Sequence, residues 1–165
     1  IYDVVDEQDR VIGKATRSEI HKSNLLHRSA HILVFNSNKQ LFLQKRSMSK
    51  DESPGLWDIS SAGHVNTGES YELSAYRELW EELKIKTVLT PLAKINACKE
   101  TYNEHIQIYI CKTDAFIKIN QEEISEGKYF NFAELKNQIY ETPEKYTSSM
   151  KLILKNYSEE ILGNT

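Results

Sequence analysis

Three glutamates near the middle of the chain could hold a divalent cation. Glu78, Glu81 and Glu82 are spaced i, i+3, i+4, which places their carboxylates side by side on one face of a helix. Like charges so close together repel, and Mg²⁺ or Mn²⁺, which prefer oxygen ligands, would remove the repulsion. A solvated acidic helix face is the alternative for these three residues taken alone, because Glu is a good helix former.

The residues that flank the glutamates favour the metal site. Gly63 and Gly68 bracket a short loop just before the helix, and Glu69 leads into it. Arg77 lies beside the acidic face, where it could hold Glu69 or Glu81 by a charge-assisted hydrogen bond. The segment therefore combines a tight loop, a cluster of oxygen ligands and an arginine that can orient them.

Hydrophobic periodicity predicts the elements that position this segment. Apolar residues at helical spacing predict a helix over 70–83; they are Leu73, Tyr76, Trp80 and Leu83, with Leu79 on the flank. Strands are predicted at 2–6, 10–14, 30–35, 41–45, 57–65, 86–98, 104–111 and 125–130. Further helices are predicted at 18–23 and 132–138, and a last one from Pro143 to about residue 156. This order indicates an α/β (α+β) fold, in which helices sandwich a mixed β-sheet.

Residues 63–85 resemble the Nudix box, G-x5-E-x7-R-E-U-x-E-E-x-G-U, in which U is apolar. Every fixed position matches except the second glycine, which is Lys84 here. That glycine suits a left-handed helix cap, and a lysine in the same conformation costs on the order of 1 kcal/mol. Because this position is not a metal ligand, the departure concerns the cap and not the chemistry.

The resemblance implies the Nudix fold in a single domain over residues 1–165. It also implies hydrolysis of a phosphoanhydride bond in a small molecule that joins a diphosphate to some group X, such as a nucleoside. Mg²⁺ or Mn²⁺ would position a water and lower its pKa. The substrate would thus be a small diphosphate compound, and a homodimer is an open expectation from the family.

The resemblance also implies roles for individual residues. The implied metal ligands are Glu78, Glu81 and Glu82, with the Gly63 carbonyl as a further ligand. Glu69 and Arg77 would orient the loop and the helix. A box glutamate or Glu104, from a later strand, would accept the proton of the attacking water.

Other segments resemble an isomerase-like bacterial branch of the Nudix hydrolases and the related type I isopentenyl-diphosphate isomerase. These segments are 2–7, 26–28, 41–47 and 54–58. The isomerase uses a Cys just before a Gly-His pair, and this chain has Ala62 before Gly63 and His64. The missing Cys and the intact acidic box favour a hydrolase, with the isomerase as the alternative.

Histidines add a second group of candidate ligands. His27, His64 and Glu104 fall where the isomerase has metal ligands, and His21 lies one residue away from such a position. A structural or surface role is the alternative for these histidines, and the sequence leaves the choice open.

Substrate contacts are predicted from a strand end and an aromatic residue. Lys45 and Arg46 follow an alternating strand and could face the diphosphate, because Arg offers a planar fork for phosphate oxygens. A solvated strand end is the alternative. Trp57 could stack on a base or fill the core.

Composition excludes several classes of protein. With 21 Lys and Arg against 24 Asp and Glu, the net charge of -3 argues against a binder of nucleic-acid polymers. No apolar run reaches the roughly 18–20 residues of a membrane span. No signal peptide is visible, and the two cysteines form no disulfide framework, so a cytoplasmic protein is predicted.

Overall fold

The computed structural model describes residues 1–165 and contains nine strands and four α-helices. The strands are β1 Tyr2–Val5, β2 Val11–Ala15, β3 His27–Phe35, β4 Gln40–Arg46, β5 Trp57–Asp58, β6 Ser61–His64, β7 Thr90–Ile95, β8 Glu104–Lys112 and β9 Ile124–Asn131. The helices are α1 Arg17–Ser23, α2 Tyr71–Leu83, α3 Phe132–Glu141 and α4 Ser148–Leu162, with a 3-10 turn at Pro143–Lys145.

Strand β3 is the centre of a seven-stranded mixed sheet. It pairs in parallel with β8, so that His27 lies opposite Glu104, and antiparallel with β6, so that Ser29 lies opposite His64. At its far end β3 pairs with β4 at Phe35 and Leu41, and β4 in turn pairs with β5 and β9. The short β6 therefore fills the space beside the first half of β3. Strands β1 and β2 form a separate two-stranded hairpin.

Helices cover both faces of this sheet, and the predicted fold class is confirmed. Even-numbered residues of β3, such as Ile32, pack with Leu79 and Leu83 of α2. Odd-numbered residues, such as Leu33, pack with Ile153 of α4 and with α3. The alternation of side chains along a strand thus divides the apolar residues between two cores. None of the helices is long and apolar enough to span a bilayer.

The apolar stripe predicted on the 70–83 helix is partly wrong. Leu73 and Trp80 are exposed, and the buried face carries Ala75, Leu79 and Leu83 instead. Glu82 is buried on this same side, because its carboxylate is bound within the protein. The buried face of the helix is therefore rotated relative to the predicted apolar stripe. Hydrophobicity alone therefore misplaces the buried face by part of a turn.

Other boundaries also differ from the prediction. The last helix begins at Ser148, where the Thr147 hydroxyl accepts from the Met150 amide, while Pro143 starts only a single 3-10 turn. Strand β7 is shorter than the predicted 86–98. Lys84 does adopt the left-handed cap, with φ of 57°, and its amide donates to the Trp80 carbonyl.

Candidate functional site

Arg77 joins the box loop to the box helix. Its guanidinium donates to both carboxylate oxygens of Glu69, at 2.8 and 3.0 Å, and to the backbone carbonyl of His64 at 3.0 Å. It also donates to Glu78 at 2.5 Å and Glu81 at 3.2 Å. The hydrogen bonds with Arg77 lower the pKa of Glu69, so this carboxylate stays ionised. One cation thus orients three carboxylates.

Glu82 is buried and held by three donors. Its Oε1 accepts from the Ser61 hydroxyl at 2.7 Å and from the Ala62 amide at 2.9 Å, and its Oε2 accepts from Gln44 at 3.2 Å. Burial raises the pKa of Glu82, and these hydrogen bonds act against the increase. The carboxylate is therefore fixed in position against β6.

Glu78 packs directly on the backbone of Gly63. A Cβ atom at position 63 would lie 2.0 Å from the carboxyl carbon of Glu78, so any residue other than glycine would displace this carboxylate. Burial and the nearby charge of Glu82 raise the pKa of Glu78 to about 7. Glu81, by contrast, is half-exposed. The three box glutamates thus share one side of a cavity but differ in burial and in hydrogen bonding.

The second group of ligands meets at the start of β3 and β8. Glu104 Oε1 lies 2.8 Å from His64 Nε2 and 3.4 Å from His27 Nε2, and Glu104 Oε2 lies 3.9 Å from His31 Nε2. Burial raises the pKa of Glu104, but the close approach of His27, His31 and His64 reverses this effect and holds the pKa well below its ordinary value. Strand pairing alone brings these distant residues together.

This second cluster has the donor set of a metal site. One ligand atom each from His27, His64 and Glu104 lies within 4.8 Å of the other two. His27 Nδ1 lies 3.0 Å from the Leu25 carbonyl, which leaves Nε2 buried without a hydrogen-bond partner. Metal-bound histidines commonly donate their other ring N–H to a carbonyl in this way. The residues therefore fit a divalent cation bound by nitrogen and oxygen ligands.

The three box glutamates, His64 and Glu104 border one cavity of about 240 Å³, and positively charged side chains line it as well. Arg17 of α1, Arg46 of β4 and Lys50 of the following loop contribute these charges. Each has an acidic partner: Arg17 contacts Asp51 at 2.7 Å, Arg46 contacts Asp58 at 3.5 Å, and Lys50 contacts Glu123. Burial lowers the pKa of Lys50, and the positive charges of Arg46 and Arg17 lower it further.

Most of the predicted site residues line this cavity, but two do not. Gly63, Arg77, Glu104 and the three box glutamates line it together with Arg46. Lys45 and Trp57 lie outside it, in strands that pair with each other. The Trp57 ring packs against Phe130, with ring centroids 5.2 Å apart.

Several residues that line the cavity were not predicted from the sequence. Arg17 and Lys50 lie in an exposed helix and a loop with no motif, so nothing in the sequence marked them. His31 could have been found, since it places a polar side chain on the buried face of the predicted strand 30–35, whereas Ser29 lies just outside that prediction. Ser149 carries no comparable signal.

Comparisons with known proteins agree with this geometry. Residues 25–152 match the model of the NUDIX domain. The chain is 34% identical to isopentenyl-diphosphate Delta-isomerase 2 of Photorhabdus laumondii, over 94% of this chain and 90% of the relative. It is 38% identical to an uncharacterized Nudix hydrolase of Pseudomonas aeruginosa, over 76% of this chain and 75% of the relative.

A solved structure supports the same relationship. A protein from Deinococcus radiodurans superimposes with a TM-score of 0.82 and 28% identity, covering 94% of this chain and 98% of that one. The relatives include both groups that the sequence resembles, so the predicted branch is confirmed. The chain belongs to the NUDIX family, the hydrolases that act on diphosphate bonds.

Proposed function

We propose that this chain is a single catalytic domain that uses Mg²⁺ or Mn²⁺ to cleave a phosphoanhydride bond in a small diphosphate-linked molecule. The observation that carries the proposal is the cavity in which the box glutamates and the cations Arg17, Arg46 and Lys50 occur together. Carboxylates can hold metal ions, and the arginines and lysine can bind the oxygens of the diphosphate.

The box residues have different roles, which follow from their hydrogen bonds. Glu78, Glu81, Glu82 and the Gly63 carbonyl would supply oxygen ligands. A divalent cation bound there neutralises the diphosphate charge and lowers the pKa of a water. Arg77 keeps the loop and the helix in register through Glu69 and the His64 carbonyl.

We assign the proton acceptor to Glu81. Both oxygens of Glu82 already accept hydrogen bonds from Ser61, Ala62 and Gln44. Glu81 is half-exposed and accepts one hydrogen bond, from Arg77 to its Oε2, so one oxygen can contribute to metal binding while Oε1 accepts the proton of an attacking water.

The positively charged side chains Arg17, Arg46 and Lys50 bind and orient the substrate. Arg46 takes the phosphate-binding role, while Lys45 and Trp57 act indirectly, through the strand pairing that positions Arg46. The pairs Arg17–Asp51 and Lys50–Glu123 hold the other two cations at the cavity. Phosphate oxygens would replace these acidic partners when substrate binds.

The cluster of His27, His64 and Glu104 would hold a further cation. Its fit rests on the buried, unpartnered Nε2 of His27 and on the carbonyl that accepts from the other ring nitrogen. The second candidate function is isomerisation of isopentenyl diphosphate, because relatives such as the Photorhabdus laumondii protein are named for that activity. Ala62, which occupies the position of the isomerase Cys, argues against it.

A substrate screen tests the proposal. Purified protein is incubated with Mg²⁺ or Mn²⁺ and a panel of nucleoside diphosphate derivatives, sugar nucleotides and isopentenyl diphosphate, with detection of orthophosphate and monophosphates. We expect release that depends on the metal and is lost in Glu81→Gln. The matched control Glu159→Gln changes an exposed glutamate of α4 and should retain full activity. Double-bond migration in isopentenyl diphosphate without phosphate release would instead establish the isomerase.

A further inference from the structure

One face of β3 carries three polar side chains, and the proposed function uses only the first of them, His27. Its odd-numbered residues begin with His27, Ser29 and His31 and continue with the core residues Leu33 and Phe35. All five are buried. A strand that only filled the core would carry apolar side chains along the whole of this face.

Besides Nε2 of His27, two buried polar atoms on this face have no hydrogen-bond partner. The Ser29 hydroxyl and His31 Nδ1 make no hydrogen bond, although Ser29 is only 2% exposed and His31 only 4%. His31 turns its other nitrogen, Nε2, toward Glu104. Both residues line the cavity. A buried polar group without a partner is unfavourable, so such groups in native proteins commonly await a ligand or a water.

The start of α4 adds further hydrogen-bonding groups to the same cavity. Ser149, in the first turn of the helix, is 5% exposed and lines the cavity. Thr147 anchors this end, since its hydroxyl bonds Asp58 at 2.9 Å and its amide donates to the Trp57 carbonyl. The first backbone N–H groups of a helix have no partner within the helix, so they too can donate to a ligand.

Few apolar groups compete for this space. Tyr2, Ala62 and Tyr102 are the only hydrophobic residues among those that line the cavity. A hydrocarbon group would leave the hydroxyls of Ser29 and Ser149 unpaired, whereas a hydroxyl-bearing group can both donate to and accept from them.

We propose that Ser29, His31 and Ser149 form a subsite for hydroxyl groups of X, so that the substrate is a hydroxylated diphosphate and not an isoprenoid one. The inference rests on the proposed function, because the diphosphate must lie in the same cavity. The hydroxyls could belong to the ribose of a nucleoside or to a hexose, and the two sources can be separated by experiment.

Binding of non-hydrolysable probes tests this subsite independently of catalysis. We would titrate the protein, with Mg²⁺, with methylenediphosphonate and with its adenosine, glucosyl and isopentenyl esters in a calorimeter. We expect at least one hydroxylated ester to bind about tenfold more tightly than the isopentenyl ester, and the identity of that ester names the source. Equal or tighter binding of the isopentenyl ester would overturn the subsite.

Variants locate the preference in the named residues. Ser29→Ala and Ser149→Ala should each weaken the preferred ester by about three- to tenfold, the equivalent of one hydrogen bond, and leave methylenediphosphonate unchanged. Ser149→Thr, which keeps the hydroxyl, should retain the preference, and Ser37→Ala, in an exposed turn, should have no effect. Equal loss for both probes, or no loss, would overturn the assignment. Failure of wild-type protein to bind methylenediphosphonate would instead refute the proposed function itself.

Discussion

Two groups of side chains at the cavity are built differently. The box centre, formed by Glu78, Glu81 and Glu82, comes from one helix. The histidine centre, formed by His27, His64 and Glu104, comes from three strands. In the box centre, Arg77 contacts Glu78 and Glu81. Burial and the nearby charge of Glu82 raise the pKa of Glu78. In the histidine centre one carboxylate is surrounded by imidazoles, and the pKa of Glu104 is lowered. The box therefore places three carboxylates around one guanidinium, while the histidine centre places three imidazoles around one carboxylate.

The largest effect should separate the two centres by their role in catalysis. We expect Glu82→Gln to lower kcat by about 10²–10³-fold, since it removes a charge from the centre that stabilises the transition state. Glu104→Gln should lower hydrolysis by no more than about tenfold, the lower end of the range for residues that support a metal site. Steady-state kinetics on the best substrate of the screen, with thermal melts to verify folding, measure both. An equal loss in the two variants would move the catalytic role to the histidine centre.

A smaller effect should follow from the contact between Gly63 and Glu78. Gly63→Ala places a methyl group where the Glu78 carboxylate lies, and a misplaced ligand of this kind costs about 10²-fold in activity. Gly13→Ala is the matched control, because its added carbon would meet only Val4, at 4.0 Å. We expect Mg²⁺ affinity, measured by calorimetry, to fall in the first variant and to stay unchanged in the second.

The pH dependence of stability should differ in sign between the centres when EDTA removes metal. The pKa of Glu78 is about 7 in the folded chain and 4.5 ordinarily, so the unfolded chain loses this proton first. Glu78 therefore lowers the free energy of unfolding as pH rises from about 4.5 to 7, by about 3 kcal/mol. Urea denaturation of wild type against Glu78→Gln should show the difference grow over this range, and added Mg²⁺ should abolish it.

Glu104 should behave in the opposite way. Its pKa in the folded chain is lowered, so its contribution is present above about 4.5 and is lost only as pH falls through the lower value. Wild type should therefore lose stability relative to Glu104→Gln on acidification. If wild type instead gained stability relative to Glu104→Gln on acidification, the histidines would not be holding this carboxylate ionised.

The smallest effect concerns a third polar cluster that has no role in metal binding. Asp9 accepts from Arg28 at 2.6 Å, from Tyr71 at 2.9 Å and from Lys94, and these hydrogen bonds overcome burial to lower its pKa. Asp9→Asn should reduce the free energy of unfolding by about 1–2 kcal/mol and leave kcat unchanged. Asp9 lies in the turn between β1 and β2. Loss of activity without loss of stability would show that this hairpin acts directly on the catalytic cavity.

The comparison also explains what the sequence could predict. Glu78, Glu81 and Glu82 are close in sequence, so helical spacing alone groups them. His27 and Glu104 meet only through the register of two parallel strands, which no local pattern contains, and the resemblance to a family was needed to single them out. The buried face of α2 was misjudged because Glu82 is held by Ser61 and Gln44, partners that a helical wheel does not include. Lys45 and Trp57 were grouped with the site by their position in sequence, but the strand pairing keeps them outside the cavity.

The parallel pairing of β3 with β8 also has a consequence for the order of folding. Helix α2 can form from local contacts, whereas His27 and Glu104 approach only after the long intervening chain has been ordered. Loop closure of this length makes such a contact one of the slower events in folding. Local helix formation can therefore group the box glutamates early, whereas the histidine centre requires that β3 has paired with β6 and β8.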